Sequence, residues 1–183
     1  MPLSQSFLIE NKGEIPMEIT KFQQTDTEQI VDLFYDTVHS VNKEDYSPLA
    51  LEAWAPEGDR NKKKTQWKEA LENNYTYVAE QGHKLIGFAD ISPDGYLVRI
   101  FVHKDYQGKG VGSALLEKVE KRAELEGLSY IHADVSITAK PFFEYHSYHL
   151  VSEQIVEKKG VSLVNYLMIK NLDVQDVHLD NYE

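Results

Sequence analysis

The sequence predicts an α+β protein in which a mixed β-sheet of about seven strands is flanked by helices. Two observations predict this class: helical and strand-like hydrophobic periods alternate along the chain, and a glycine-rich turn connects one strand pattern to one helix pattern. A chain of 183 residues with no internal repeat is expected to form one domain. We expect this domain to span residues 17–172, between a loose N-terminal extension (1–16) and an acidic C-terminal tail (173–183).

The first part of the chain predicts one strand followed by three helices. Residues 17–22 alternate with the two-residue period of a strand. A capping-box pattern at residues 25–28 predicts the start of the first helix, and the Ser-Pro pair at 47–48 predicts the start of a second that ends at Trp54. A third helix is expected over residues 59–73.

The remainder of the chain predicts a three-stranded meander, a long helix and a second group of strands. Aromatic and β-branched runs separated by turn residues indicate the strands. Gly127 is expected to end the long helix, which begins in the glycine-rich turn. The expected strands are 75–79, 85–89, 96–102, 129–135, 149–158 and 161–170, with a short helix over 139–146.

The glycine-rich turn is the most informative segment of the chain. Residues 107–112 read Gln-Gly-Lys-Gly-Val-Gly, between a strand pattern that ends at Val102 and an amphipathic helix. Glycines leave backbone N–H groups uncovered, and a helix N-terminus adds partial positive charge. The segment therefore predicts a main-chain cradle for a phosphate or pyrophosphate group.

Other interpretations of this turn are weaker but stay open. A P-loop requires Ser or Thr after the lysine, whereas Gly110 follows Lys109. A dinucleotide-binding fingerprint would have its third glycine one residue later, although Asp134 stands about 20 residues on, where the ribose-binding acid is expected. A nucleotide-binding module and a turn without a ligand are the two alternatives.

The net charge limits which classes of partner are expected. The net charge of −11 disfavours nucleic acid, because binding a polyanion requires lysine and arginine to neutralise phosphates. An amine-bearing small molecule suits an acidic protein better. The one basic cluster, Arg60, Lys62, Lys63 and Lys64, is expected to be a solvated helix face.

The absence of several residue patterns limits the chemistry. The sequence has no cysteine, which excludes disulfides, thiolate zinc sites and a cysteine nucleophile. No metal-binding motif occurs, so no metal is expected. The sequence has neither a signal-peptide pattern nor an apolar run of the ~20 residues that span a bilayer, so we expect a cytoplasmic protein with no membrane partner.

The glycine turn and its flanks resemble the GNAT N-acetyltransferase superfamily. Residues 107–112 are similar to the Q/R-x-x-G-x-G/A signature that binds the pyrophosphate of acetyl-CoA. Residues 101–106 resemble the strand that precedes the signature, and residues 139–143 resemble the A-x-x-F/L-Y segment that follows it. The resemblance runs from about residue 17 to residue 172 and is closest to small bacterial-type acetyltransferases.

This resemblance implies the GNAT fold and an acetyl-CoA-dependent N-acetyltransferase. The acetyl group would pass to a primary amine of a small molecule, or to a peptide amine, by direct attack in a ternary complex. Acetyl-CoA would be a cosubstrate, no metal would take part, and a homodimer is left open.

The resemblance also implies which residues bind acetyl-CoA. Backbone groups of Ile100, Phe101 and Val102 would pair with the pantetheine arm, and an N–H near Val102 would stabilise charge on the thioester oxygen. The pyrophosphate would be held by Gln107, Gly108, Lys109, Gly110, Val111, Gly112 and Ser113.

The proton-transfer groups are harder to predict. Asp90 lies in a predicted strand and is a candidate base, although an aspartate there is also typical of a strand edge. The tyrosine that often serves the family as general acid, by protonating the leaving thiolate, corresponds to Phe143, which has no proton to donate. Tyr145 and His146 are the nearby candidates, but a residue two positions on is rotated by about 200° around a helix, so we expect Tyr145 to point away from the Phe143 face and His146 to share it.

The segment between the first two helices is expected to form the acceptor pocket. His39, Tyr46 and Trp54 are the candidate substrate-binding residues because they lie in or beside loops, which commonly carry binding functions. Packing between helices is an equally simple role for Trp54. Because the family's tyrosine is replaced at Phe143, a non-catalytic acyl-CoA-binding or sensing domain is the alternative function.

Overall fold

The computed structural model describes residues 16–172; the expected acidic tail and all but the last residue of the expected extension lie outside the described residues. The strands are β1 (Met17–Lys21), β2 (Tyr75–Gln81), β3 (Lys84–Ile91), β4 (Leu97–Val102), β5 (Tyr130–Ser136), β6 (His149–Lys158) and β7 (Val161–Asn171). The helices are α1 (Thr27–Ser40), α2 (Pro48–Trp54), α3 (Arg60–Asn73), α4 (Val111–Leu125) and α5 (Lys140–Tyr145).

The α+β class and the order of elements are confirmed. The start of α1 differs from the prediction, because a 3₁₀ turn precedes it and the capping contact lies two residues earlier than the pattern suggested. There the carboxylate of Asp26 accepts a hydrogen bond from the Gln23 N–H at 2.7 Å. The helix itself begins at Thr27.

The seven strands form two sheets. One has the order β1-β2-β3-β4 and the other the order β5-β7-β6, with antiparallel pairing in both. The sheets meet where Tyr96 and His132 form a parallel bridge, beside a hydrogen bond from the His132 N–H to the Gly95 carbonyl at 3.0 Å. Beyond this bridge β4 and β5 belong to different sheets, so their facing edges are open to a ligand.

The core lies on both faces of the four-stranded sheet. On one face α4 packs with Leu115, Leu116 and Val119 against the sheet, and on the other α1 packs with Ile30 and Phe34. All of β3 after its first residue is buried, as expected of a strand covered on both sides. Layers on both faces fix β4 in place and leave one of its edges free. No helix in the described residues is long and apolar enough to cross a membrane.

Candidate active site

A cleft of about 730 Å³ begins at the glycine turn and ends among aromatic side chains of α1, α2 and α3. Its walls come from β4 and β5, where the two sheets part, and from β6, β7 and α5. One cavity therefore joins the predicted pyrophosphate cradle to the predicted acceptor pocket.

The glycine turn has the backbone geometry of an open cradle. Gly108 and Gly110 have φ angles of 69° and 83°, in the left-handed region that favours glycine. A Cβ atom at either position would meet no protein atom within 4 Å, so the space above these residues is open. Gly110 is the N-cap of α4 and makes no side-chain cap, which leaves the first N–H groups of that helix directed at the cleft.

Five of the seven residues expected to hold a pyrophosphate line the cleft: Gln107, Gly108, Gly110, Gly112 and Ser113. The other two residues do not line it. Lys109 places its Nζ 5.2 Å from the centre of the Tyr106 ring, and Val111 is buried in the core.

The amide of Gln107 has a partner within the turn. Its Nε2 donates to the Val102 carbonyl at 2.6 Å, and the hydroxyl of Thr37 donates to the same oxygen at 3.3 Å. Gln107 thus ties the turn to the end of β4, which differs from the expectation that its side chain is free to bind phosphate.

The free edge of β4 faces the cleft. The His103 N–H donates to the Ile86 carbonyl of β3 at 2.8 Å. Because backbone groups alternate between the two edges of a strand, those of Phe101 also face β3, whereas those of Ile100 and Val102 face the open edge. All three residues line the cleft, with the Phe101 ring in the aromatic end and backbone pairing expected only at Ile100 and Val102.

The structure places Asp90 away from the cleft. Its side chain is fully buried, and both carboxylate oxygens are bound: Arg99 contacts Oδ1 and Oδ2 at 2.7 and 2.5 Å, and Asn74 donates to Oδ2 at 2.7 Å. A carboxylate so fully paired cannot readily accept a substrate proton, so this geometry argues for a structural role.

The two candidates near Phe143 occupy different environments. Tyr145 is 84% exposed and does not line the cleft, as its helical position predicted. His146 lies against Phe142, with its Nε2 3.0 Å from the Ser113 hydroxyl oxygen. Burial lowers the pKa of His146 and so favours the neutral ring, which suits a hydrogen bond with Ser113. Ser147, with φ of 66°, occupies a left-handed position of the kind that favours glycine.

A tyrosine and an aspartate that were not among the predicted site residues meet in the cleft. The Tyr96 hydroxyl donates to Asp134 Oδ2 at 3.0 Å, and Gln154 donates to Oδ1 at 2.7 Å. Burial, reinforced by the charge of Asp134, raises the pKa of Tyr96 to about 12. The sequence marked Asp134 as a match to the ribose-binding acid of a dinucleotide fingerprint, but its position inside an apolar strand gave no sign of a role in acetyl transfer.

The acceptor end is largely aromatic. Of the three predicted residues, Tyr46 and Trp54 line the cleft with their rings 5.5 Å apart, whereas His39 does not and instead hydrogen-bonds the Ala55 carbonyl at 2.8 Å. The Tyr46 hydroxyl accepts from the Ile137 N–H and donates to the Val164 carbonyl, so it braces the pocket. Trp67 and Phe34 were missed, because their apolar spacing on helices is equally typical of core residues.

The basic cluster on α3 is only partly the solvated face expected from its sequence. Arg60 contacts Glu57, Asp32 and Asp36, and Lys64 contacts Glu28 and Asp32. Lys63, by contrast, is half-buried and lines the cleft. The expectation was wrong for this residue because α3 turns it towards the sheet.

Family comparison matches residues 42–170 to the acetyltransferase (GNAT) domain model. The chain is a member of the GNAT acetyltransferase family. Among curated proteins, the N-acetyltransferase YafP of Escherichia coli K12 is 32% identical over 152 residues, which cover 83% of this chain and 94% of YafP. The N-acetyltransferase YjcF of Bacillus subtilis is 32% identical over 97 residues, or 51% of this chain and 69% of YjcF. The chain is therefore an acetyltransferase.

Solved GNAT structures share the fold. A GCN5-related N-acetyltransferase from Rhodopseudomonas palustris superposes with a TM-score of 0.79 at 26% identity, covering 84% of this chain and 94% of that one. PaiA from Thermoplasma acidophilum, in complex with coenzyme A, gives a TM-score of 0.65 at 19% identity, covering 85% of this chain and 99% of PaiA. YncA from Salmonella typhimurium, solved with acetyl-CoA, gives a TM-score of 0.62 at 20% identity, covering 86% of this chain and 94% of YncA.

Proposed function

We propose that this protein uses acetyl-CoA to acetylate a primary amine of a small molecule in a ternary complex. The observation that carries this proposal is the single cleft in which an open strand edge connects a glycine cradle to an aromatic pocket. A donor that binds along the strand and an acceptor that binds among the aromatic rings would meet within it. We place the reaction in the cytoplasm.

The residues present suit acetyl-CoA. Backbone N–H groups at the N-terminus of α4 would bind the pyrophosphate, since Gly108 and Gly110 leave the approach uncovered. The backbone groups of Ile100 and the N–H of Val102 would pair with the amides of the pantetheine arm as an added strand does, because the Val102 carbonyl already accepts from Gln107 and Thr37. When bound, acetyl-CoA supplies the thioester, which is the activated acyl group.

Transfer forms an N–C bond between the amine and the thioester carbonyl and breaks the C–S bond. A backbone N–H at the open edge of β4 would stabilise the negative charge that develops on the thioester carbonyl oxygen. We assign the base to Asp134, directly or through a water, because it is a cleft-lining carboxylate beside the open edge of β4. The CoA thiolate would leave without a protein acid, since Phe143 has none to give and a thiol of pKa about 8.5 is a tolerable leaving group.

The test is thiol release from acetyl-CoA over a panel of amines, combined with calorimetric titration of acetyl-CoA. Release with at least one amine, together with binding of acetyl-CoA, supports the proposal. Binding without release over the whole panel would favour the second candidate function, an acyl-CoA sensor, for which the substitution at Phe143 is the specific observation. No binding of acetyl-CoA would contradict both.

A further inference from the structure

The ammonium group of Lys63 has an unusual environment. It lies 5.5 Å from the centre of the Phe34 ring and 5.3 Å from that of Trp67, inside the cleft. Within residues 16–172, no carboxylate lies within ion-pair distance of Lys63, whereas Arg60 and Lys64 on the same helix are both paired with carboxylates. Its contacts are thus with aromatic faces.

The charges around Lys63 are mainly positive. Lys158 from the end of β6 also lines the cleft and has no ion pair among the described residues. Burial lowers the pKa of Lys63, the charge of Lys158 lowers it further, and the charge of Asp59 acts in the opposite direction. Arg99 lies over Trp67 at 4.5 Å but is neutralised by Asp90, and Lys159 is bound to Asp59 at 2.7 Å.

The two carboxylates that line the cleft do not neutralise this end. Asp134 accepts hydrogen bonds from Tyr96 and Gln154, near the bridge that joins the sheets. Glu157 lines the cleft beside Lys158, at no ion-pair distance from it or from Lys63. Among the described residues the half-buried ammonium of Lys63 has aromatic walls and no ion-pair partner, so a bound anion would offset part of the cost of its desolvation.

We infer that the acceptor substrate carries, besides its amine, an anionic group that binds at Lys63 and Lys158, and an apolar or aromatic body that packs on Trp54 and Trp67. The shared chemistry is an oxyanion, carried as a carboxylate or a phosphonate. That the ligand is the acceptor substrate rests on the proposed function, whereas the anion site itself does not depend on turnover. It also refines the expectation drawn from net charge, because Lys63 and Lys158 place two cations at this end of the cleft in a chain whose overall charge is −11.

Diamines and other polycations are the opposite case. A second ammonium group at this end of the cleft would meet half-buried Lys63 and exposed Lys158, neither of which has an ion pair among the described residues, and like charges repel. We therefore expect such amines to be the poorest acceptors of the panel.

The experiment uses the two tryptophans of the chain, Trp54 and Trp67, both of which line the cleft, so intrinsic fluorescence reports on its acceptor end. The probes are N-acetylphenylalanine, its uncharged amide and the phosphonate that replaces its carboxylate. They are titrated against wild type, Lys63→Met and Lys158→Met, with Lys62→Met on the exposed side of α3 as the matched control. In parallel, the unacetylated forms of these three probes (phenylalanine, its amide and its phosphonate analogue) are assayed as acceptors.

We expect wild type to bind an anionic probe at least about tenfold more tightly than the amide, as for a hydrogen bond to a charged group. Lys63→Met and Lys158→Met should reduce this preference, and Lys62→Met should retain it. A preference for the phosphonate over the carboxylate, or the reverse, identifies the oxyanion.

Equal binding of acid and amide to wild type would overturn the inference, as would a preference that survives both lysine variants. The two proposals fail separately. Anion-selective binding without acetylation of any amine would overturn the proposed function and leave the anion site, whereas acetylation of neutral amines alone would overturn the anion site and leave the function.

Discussion

Arg99 and Asp90 form a two-pronged ion pair inside the molecule, with Nε–Oδ1 and Nη2–Oδ2 distances of 2.7 and 2.5 Å. The pair is formed across β4 and β3, which place the two residues opposite each other. The guanidinium of Arg99 lies over the Trp67 ring at 4.5 Å, so the ion pair also positions a wall of the acceptor pocket. This arrangement explains why a polar residue can occupy a fully buried strand.

Asp90→Ala should lower the free energy of unfolding by about 3–5 kcal/mol, because it leaves the Arg99 charge buried and unpaired. Urea denaturation measures this, with Glu153→Ala on the exposed face of β6 as the control, expected to change stability by less than about 0.5 kcal/mol. A stable Asp90→Ala protein whose kcat has fallen a hundredfold would instead identify Asp90 as the base.

Gly110→Glu should weaken acetyl-CoA binding by about tenfold or more, because the side chain would cover the N–H groups and bring a negative charge to the pyrophosphate. Gly127→Glu is the matched control. Gly127 has a φ of 73° and an open Cβ position, but it lies past the other end of α4. Calorimetry measures the affinity, and thermal melting compares the backbone strain of the two variants. If both variants bind acetyl-CoA as tightly as wild type, this turn is not the pyrophosphate site.

Tyr145→Phe should change kcat little, because the hydroxyl belongs to a side chain that is 84% exposed and lies outside the cleft. A true general acid would cost about 10²–10⁴-fold. Steady-state kinetics with the best amine of the panel decides between the two.

Ser113→Ala and His146→Ala should each raise the KM for acetyl-CoA about two- to tenfold, the usual range for one hydrogen bond, and leave kcat nearly unchanged. The double variant should be no worse than either single one, because both remove the same 3.0 Å contact at the cradle. Fully additive effects would mean that the two side chains act independently, and a fall in kcat confined to His146→Ala would assign it a chemical role.

Asp134→Asn should lower kcat about 10²–10⁴-fold and preserve acetyl-CoA affinity, as expected for loss of a general base. Tyr96→Phe removes a hydrogen bond to the same carboxylate but leaves the carboxylate itself, so it should lower kcat less than Asp134→Asn does. Steady-state kinetics of both variants with the best amine of the panel measures this. A kcat unchanged in Asp134→Asn would remove Asp134 from the reaction.

Acidification should destabilise the protein partly through His103 and His146. Burial lowers the pKa of both imidazoles below the ordinary value of 6.5. The unfolded chain therefore takes up protons first as pH falls, so this contribution to stability is complete above about pH 6.5 and is lost below it. The double variant His103→Gln/His146→Gln should lose less stability than wild type between about pH 7.5 and about pH 5.5, as measured by urea denaturation. His83→Gln, at an exposed turn, should behave as wild type; a double variant as acid-sensitive as wild type would contradict the prediction.

The glycine turn and most element boundaries could be predicted from the sequence because they depend on local chemistry. Gly108 and Gly110 take the left-handed conformation that their residue type permits, after β4 and a short 3₁₀ turn over Lys104–Tyr106. The strand and helix periods of the surrounding segments are properties of neighbouring residues, so they are visible in the sequence alone.

What only the tertiary structure decided is which distant side chains share an environment. Asp90 is a buried, paired residue because the register of the β3–β4 hairpin sets it opposite Arg99, and its burial depends on the helices that cover both faces of the sheet. Asp134 faces the cleft because β5 is joined to the first sheet only by the bridge between Tyr96 and His132. Lys63 is half-buried because α3 places its side chain over the rings of Phe34 and Trp67. Sequence determines local conformation through steric and hydrogen-bonding preferences, whereas the charge balance of a pocket depends on contacts between residues far apart in the chain.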